Sequence, residues 1–309
     1  EIKAVLEKHR VTLLRHPLVR DIGVGFRVAD RKVSDELCAI VEVTSLANAS
    51  LQKKSLPQSI EGIPVHLVET LVPEILRADF DELHPHIRDI SNFRNQLFPQ
   101  LIGGIRIKNA RSREGGGTLG AVVYDQKTHE AYGLTSRHVL LPNRRFSFRR
   151  TAPVIQPNHQ WNKRSEIGKV IQSKQTAPDC IRFKIRAERP IATTNSLLGL
   201  KGQIQGIASE VYCGMKVMKS GARTGVTYGI IVCESICKKH FTIYPDEDYE
   251  LIDGELTLPG DSGAVWVVND GSMQAIGLHC LGNRSKIYDA EMAVALKMSM
   301  VADYLQIYF

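Results

Sequence analysis

Apolar residues at the start of the chain recur at helical intervals. Ile2, Val5, Leu6 and Leu13 share one face of a helix that Pro17 closes. The period then shortens: residues 22–28 and 37–43 are β-branched runs flanking a polar stretch at 30–35, which predicts a hairpin. Polar residues 48–59 follow, then a third strand at 63–69. Residues 73–99 are rich in proline and charge and read as a connector with room for one short helix. Together these elements describe a small α+β unit over residues 1–100.

From residue 101 glycine turns punctuate many short apolar runs: 118–124, 131–135, 154–155, 167–172, 180–185, 211–219, 227–234, 240–244, 264–268 and 273–279. Short strands at roughly 8–12-residue spacing predict an all-β sandwich or barrel. The tail differs. Ala290, Ala293, Val294, Leu296, Val301 and Leu305 fit a helix over 289–308. There is no internal repeat and no low-complexity tract.

Composition narrows the class without naming a chemistry. A length of 309 residues suits about two domains, and 43% hydrophobic with 24% charged residues is the make-up of a globular protein. Disordered, collagen-like and coiled-coil chains are excluded. No apolar run reaches the ~18 residues that span a bilayer, so no membrane insertion is expected. The start, EIKAVLEKHR, has neither an apolar signal core nor an initiator Met, which suggests a processed or cut chain and leaves a removed leader open. A net charge of +7 only hints at anionic partners. Six cysteines are too few for a disulfide scaffold of this size, and an intracellular protein is expected.

The chemistry gathers at residues 258–268, LPGDSGAVWVV, where a Gly-Asp-Ser-Gly turn feeds an apolar strand. Gly260 and Gly263 permit a sharp bend that exposes the Ser262 hydroxyl and aims backbone N–H groups at one point, the arrangement of an oxyanion hole. An ordinary hairpin turn uses the same residues. A serine needs a base, and His138 follows an apolar strand in AYGLTSRHVLL. Between them lie Asp179, Asp246, Asp248, Asp253 and Asp261. Asp261 adjoins the serine, and three sit in the acidic stretch YPDEDYELIDGE. Asp179 opens an alternating strand, where a partly shielded carboxylate can orient an imidazole.

His138, Asp179 and Ser262, in that order, resemble the triad of the chymotrypsin-like (trypsin-fold) serine peptidases of bacterial type. TSRH stands for the family's TAAH, DCIRF for its DIALL, and GDSG is shared. Residues 217–229, VMKSGARTGVTYG, are similar to a hairpin of streptogrisin-type members, and residues 277–282, GLHCLG, resemble the strand that lines the substrate. The N-terminal unit, with DIGVGF at 21–26 and SIEGIPV at 59–65, looks similar to the leader module of Narrow Leaf-like trypsin-fold proteins.

The resemblance implies an α+β N-terminal domain (1–100) followed by an all-β chymotrypsin-like double β-barrel with a C-terminal helix (101–309, the barrels about 101–200 and 201–309). It implies Ser262 as nucleophile, His138 as base then acid, Asp179 as orienting carboxylate, and the Gly260 and Ser262 N–H groups as oxyanion hole. Leu256 falls at the floor of the primary pocket, which implies an apolar or small residue there. Cys280, Leu281 and Gly282 fall on the substrate strand, Cys280 replacing a usual Ser. No cofactor or metal is implied, and the partner is a protein or peptide substrate.

Several departures matter. Val139 stands where secreted members carry a Cys after the histidine, and Leu258 and Pro259 replace the Cys before the serine turn. LIGGI at 101–105 resembles the start released when zymogens of this family are cut, with Asp261 as receiver of the new ammonium group. A Gly-Gly turn joining the two units is the competing reading, favoured by Gln100 in place of a basic residue. Arg144, Arg145, Arg149 and Arg150 around Phe146 and Phe148 form either a charged rim loop or a nucleic-acid contact. Cys233 and Cys237 lack a second ligand pair, and His84 and His86 offer at most adventitious chelation. The expected function is a serine endopeptidase regulated by its N-terminal domain, possible site of a regulatory protein partner. The alternative is an inactive trypsin-fold binding module.

Overall fold

The computed structural model describes residues 1–29, 32–51, 56–69, 84–112, 115–141, 151–157, 164–171, 178–192, 195–237, 239–285 and 290–309. Helix α1 (Ile2–Leu14) lays Leu6 and Leu13 on the hairpin of β1 (Val19–Ala29) and β2 (Lys32–Val43). After α2 (Leu46–Leu51) and β3 (Ser59–Ile60), strand β4 (Ile63–Glu69) runs parallel to β2 with Ala39 opposite Val65. Ile22, Val41 and Val43 fill this unit's core. Residues 73–83 of the expected connector lie outside the described residues. Helix α3 (Pro85–Arg94) begins at His84, whose Nδ1 accepts from the His86 N–H at 3.3 Å, with Pro85 at the first helical position. That gives the His-Pro-His stretch a capping role.

The first barrel is an antiparallel sheet built from β5 (Arg106–Asn109), β6 (Gly117–Thr118), β7 (Ala121–Asp125), β8 (Ala131–Thr135), β9 (Thr151–Ile155), β10 (Glu166–Ile171) and β11 (Ile181–Ile185). Its strands run in the order β7-β8-β11-β10-β9-β5-β6, and Ile107, Leu119, Ile167 and Phe183 fill it. The short helix α4 (Arg137–Leu140) follows β8.

The second barrel comprises β12 (Lys216–Gly221), β13 (Gly225–Ser235), β14 (His240–Pro245), β15 (Val265–Val268), β16 (Ala275–Ser285) and β17 (Ala290–Lys297). The order β12-β15-β16-β17-β14-β13 closes on itself because β12 also pairs with β13. Val217, Phe241, Trp266 and Ile276 fill it. The chain ends in α5 (Met298–Leu305) and β18 (Ile307–Tyr308), which returns to pair with β7. The two barrels and the helix near the C-terminus agree with the expected double β-barrel.

Two elements differ from the sequence pattern. The helix expected over 289–308 is a strand to Lys297 and a helix only from Met298. Ala293 and Ala295 are fully buried and Met292 nearly so. A strand covered on both faces shows no polar alternation, so helical spacing and strand fit the same residues. The strand expected from 211 begins at Lys216.

Residues 1–100 are joined to the rest by more than a connector. β1 pairs with β13, Val24 opposite Glu234, so the N-terminal strands extend the second barrel into a ten-stranded sheet. Lys3 reaches Glu234 at 2.9 Å. The buried Arg94 of α3 donates to Gly104 O at 3.0 Å, Ser220 Oγ at 2.7 Å and Leu198 O at 3.0 Å. A chain starting at residue 101 leaves the β13 edge unpaired and removes these anchors. Such a fragment is expected to elute in size-exclusion chromatography as aggregate, or to melt about 10 °C or more below the full chain. Equal melting temperatures would contradict this dependence.

Candidate active site

Strand β8 ends at Thr135, and the chain turns through Ser136 into α4, presenting His138 half-exposed at a barrel mouth. Asp179, half-buried just before β11, meets it twice. Its Oδ2 lies 2.6 Å from His138 Nδ1, and its Oδ1 accepts from the His138 backbone N–H at 3.0 Å. Both carboxylate oxygens are thereby engaged, which fixes the imidazole's rotation and directs Nε2 away from the aspartate. Burial raises the Asp179 pKa, but the His138 contacts outweigh it and hold the carboxyl below its ordinary value.

The serine turn comes to the same mouth through shared backbone contacts. His279 O accepts both from Ser136 Oγ at 2.8 Å and from the Gly263 N–H at 2.8 Å, tying the histidine turn to the serine turn. Gly117 lies under both: a Cβ there would stand 2.5 Å from Val139 Cγ2 and 2.7 Å from Ser262 O. The Thr118 N–H bonds that same Ser262 carbonyl at 2.9 Å. Gly260 takes φ +114°, a conformation that a side chain would strain.

Among the described residues neither the Gly260 N–H nor the Ser262 N–H donates to a protein acceptor. Their neighbours are spoken for: Asp261 N bonds Leu258 O at 2.9 Å, and Gly263 N bonds His279 O. The Pro259 carbonyl accepts from Arg223 Nε at 3.2 Å. In a trans peptide C=O and N–H point oppositely, so this bond turns the Gly260 N–H away from Arg223. The Gly260 carbonyl is held by Thr118 Oγ1 at 2.9 Å. Arg223→Met removes the brace on the Pro259 peptide. The oxyanion role expected for Gly260 from the sequence predicts, in steady-state kinetics, a kcat lower by about 10²–10³ with KM changed by less than about threefold. An unchanged kcat would show that the peptide holds its orientation without Arg223.

Asp261 points inward and carries a dense set of bonds. Lys219 Nζ stands 3.3 Å from Oδ2, and both side chains are 0% exposed. Thr224 Oγ1 donates at 2.7 Å, and the N–H groups of Arg223, Thr224 and Leu258 at 2.8, 3.1 and 3.0 Å. Burial works against the Asp261 charge, yet Lys219 and these donors hold its pKa down at about 2. Burial pushes the Lys219 pKa down, and Asp261 pulls it back. Residues 101–105 are threaded into the fold, with Leu101 and Ile105 fully buried and Leu101 N bonded to Pro190 O at 2.9 Å. The place where a cut N-terminus would deliver an ammonium group is filled by Lys219.

The substrate-side positions are less uniform. Leu256 is fully buried in the second barrel's core with Trp266 and Phe241. Its neighbour Thr257 contacts His279 Nε2 at 2.7 Å, and a Cβ on Gly282 would stand 2.2 Å from Thr257 Cγ2. Burial pushes the His279 pKa down to about 3, so its ring is neutral. Cys280 is buried, its thiol donating to Val294 O at 3.3 Å, and Leu281 is 41% exposed. β16 meets β15 and the serine turn as far as His279 and pairs with β17 onward to Ser285, which among the described residues leaves one strand edge open past His279.

Sequence reasoning singled out His138, Asp179 and Ser262 but passed over Lys219, Thr224 and Arg223. A signal existed for Lys219: in Val217-Met-Lys-Ser-Gly it shares a strand face with Val217, inside a run that is buried on both sides. The six cysteines are free thiols. The basic stretch 144–150 lies outside the described residues. Among the described residues there is no cluster of three metal-ligating side chains and no helix long and apolar enough to cross a membrane.

No family model matches this chain, and no curated protein does. Among solved structures it is similar to a glutamic-acid-specific serine protease described as using a histidine triad in substrate binding, at 17% identity over 67% of this chain and 99% of that one, TM-score 0.47. It is similar also to Cellulomonas bogoriensis chymotrypsin (15%, 67% and 97%, TM-score 0.45) and Nocardiopsis protease (15%, 67% and 97%, TM-score 0.44). All three are proteases by name, and at these identities and TM-scores the likeness assigns no property to this chain.

Proposed function

We propose that this chain is a serine endopeptidase. Ser262 attacks the scissile carbonyl as His138 Nε2 takes its proton, and the tetrahedral oxyanion forms against the Gly260 and Ser262 N–H groups. The leaving amine receives the proton from His138, and water, activated by the same imidazole, releases the acyl group from Ser262. Asp179 keeps the Nδ1 proton in place and stabilises the imidazolium. The observation that carries this reading is the double contact of Asp179 with His138, at a mouth shared with a serine turn whose Gly260 and Ser262 N–H groups have no protein acceptor among the described residues. That pairing and those free donors speak for catalysis over an inactive binding module.

Leu256 offers no charge to pair with Lys or Arg, and the close approach of Gly282 to Thr257 narrows the space beside it. Both support a small or apolar residue before the cleaved bond. Residues 1–100 act as accessory unit to the peptidase over 101–309 and restrain it or recruit its partners. Val139, Leu258 and Pro259 in the family's bridge positions support a reducing, cytoplasmic setting. Cleavage profiling with a peptide library, run beside the Ser262→Ala variant, tests the reading. Cleavage that follows small or apolar residues and vanishes in the variant is expected. Cleavage after glutamate would assign the pocket to Thr257 and His279 instead, and cleavage that persists in Ser262→Ala would overturn the mechanism.

A further inference from the structure

A cavity of about 530 Å³ lies where the N-terminal strands meet the second barrel. Its size is that of a small-ligand site, several times one side chain. One wall belongs to the N-terminal unit: Phe26 of β1, Ile40 of β2, and His66 and Val68 of β4. The opposite wall is barrel: Val232, Tyr244, Met292 and Val294. Its third side reaches the candidate catalytic centre, where Asp179, Cys280, Leu281 and Gly282 complete the lining.

The third side identifies the occupant. His279 still bonds Ala264 and Gly263 through its main chain, but past it the edge of β16 facing the serine turn has no strand partner among the described residues, and an extended peptide adds to such an edge by main-chain bonding. A peptide laid there with its scissile carbonyl at Ser262 carries its preceding residues past Leu281 and Gly282, at the entrance to the cavity. Leu281 is one of the large apolar side chains left exposed, at 41%. The lining carboxylates, Glu42, Glu69 and the buried Asp21, oppose an acidic guest.

From this continuity we infer that residues 1–100 build one wall of the substrate site, and that the cavity receives apolar side chains two to four residues before the scissile bond. The inference rests on the endopeptidase reading and adds a specificity role for the N-terminal unit through Phe26, Ile40 and Val68. It also explains why that unit is stitched into the barrel sheet: a wall of a binding site must be held in register with the strand that holds the substrate.

The test uses the full chain carrying Ser262→Ala, with fluorescent peptides identical from the cleaved residue onward and bearing Leu-Leu-Phe, Ala-Ala-Ala or Glu-Glu-Glu before it. The apolar peptide is expected to bind about tenfold or more tighter than the alanine peptide by anisotropy, and the acidic peptide weakest. Val68→Trp, which fills the cavity, is expected to bring the apolar-to-alanine ratio to within about twofold, and the milder Val68→Met to an intermediate value. The ratio within one variant is diagnostic, because a general loss of folding weakens all peptides together, and Val68→Met then decides. Equal binding of the apolar and alanine peptides, or a ratio untouched by either Val68 variant, would overturn the inference. The same peptides offered to the chain with Ser262 intact separate the two readings: absence of cleavage counts against the endopeptidase, while the binding ratio still decides the cavity.

Discussion

Asp179→Asn is expected to lower kcat/KM for a cleaved peptide by about 10⁴ while leaving the fold in place. The amide keeps the shape of the carboxylate but presents an N–H where Oδ2 now faces His138 Nδ1 at 2.6 Å. To bond it, the imidazole must place its proton on Nε2, the atom that has to accept from Ser262. The second contact, from the His138 backbone N–H to Oδ1 at 3.0 Å, survives through the amide oxygen, so the ring stays near its position in the wrong tautomer. Ser262→Ala removes the proposed nucleophile, with an expected loss of about 10⁶ in kcat, and adding Asp179→Asn to it is expected to change little, as for residues that act as one unit. Steady-state kinetics of the two single variants and the double variant check this. An Asp179→Asn loss below about tenfold would mean that another group orients His138.

Lys219→Met is expected to cost both stability and activity. It leaves the Asp261 carboxylate fully buried without its counter-charge, and breaking a buried pair on one side costs about 3–5 kcal/mol. Asp261 sits between the two proposed oxyanion donors, so its release disorders the turn, and kcat falls with the melting temperature. The pH dependence has a definite sign. Asp261 ionises near pH 2 in the folded chain, below the ordinary carboxylate value of 3.8. A depressed folded value contributes stability that is complete above about pH 4 and disappears as pH falls towards 2, worth about 2 kcal/mol for such a shift. Lys219 offsets part of this, since its own burial disfavours the ammonium form. In urea titrations the full chain therefore loses stability from pH 4 to 2, whereas Asp261→Asn, already destabilised at pH 7, loses less over that range, its remaining limb belonging to other depressed carboxylates such as Asp125 and Asp179. An identical acid limb in Asp261→Asn would place its origin elsewhere.

The Lys219–Asp261 pair also bears on activation. The resemblance of residues 101–105 to a released N-terminus invites a role for Asp261 in a cut chain. Asp261 instead finds its cation inside its own barrel, on β12, and Leu101 is sealed in the core. The serine turn is held in the uncut chain by groups that fold with it.

Local chemistry was legible in the sequence wherever a turn or strand end fixes it. The Gly-Asp-Ser-Gly turn needs positive φ at Gly260 and Gly263, and those glycines announce it. His138 and Asp179 follow and precede apolar strands, so strand ends deliver them to one mouth. What stayed hidden depends on pairing between distant strands. Nothing local in DIGVGF says that β1 will bond β13 more than two hundred residues later, yet that register turns an accessory unit into part of the barrel sheet. The cavity walled by Phe26 and Val68 follows from it. Residues 289–308 failed for a different reason: small and apolar residues buried on both faces erase the alternation that marks a strand. Leu256 was placed by its distance from the serine; that distance did not show that it packs with Trp266 and Phe241, or that its neighbour Thr257 contacts His279.

The central claim, that Ser262 is a nucleophile activated by His138 and Asp179, is tested most directly by a fluorophosphonate probe on the full chain with peptide mapping of the adduct. A single covalent adduct on Ser262, absent in Ser262→Ala and slowed by about 10³ or more in His138→Ala, is the result expected. A full chain that takes up no label, or one labelled on another residue at the same rate, would contradict the account.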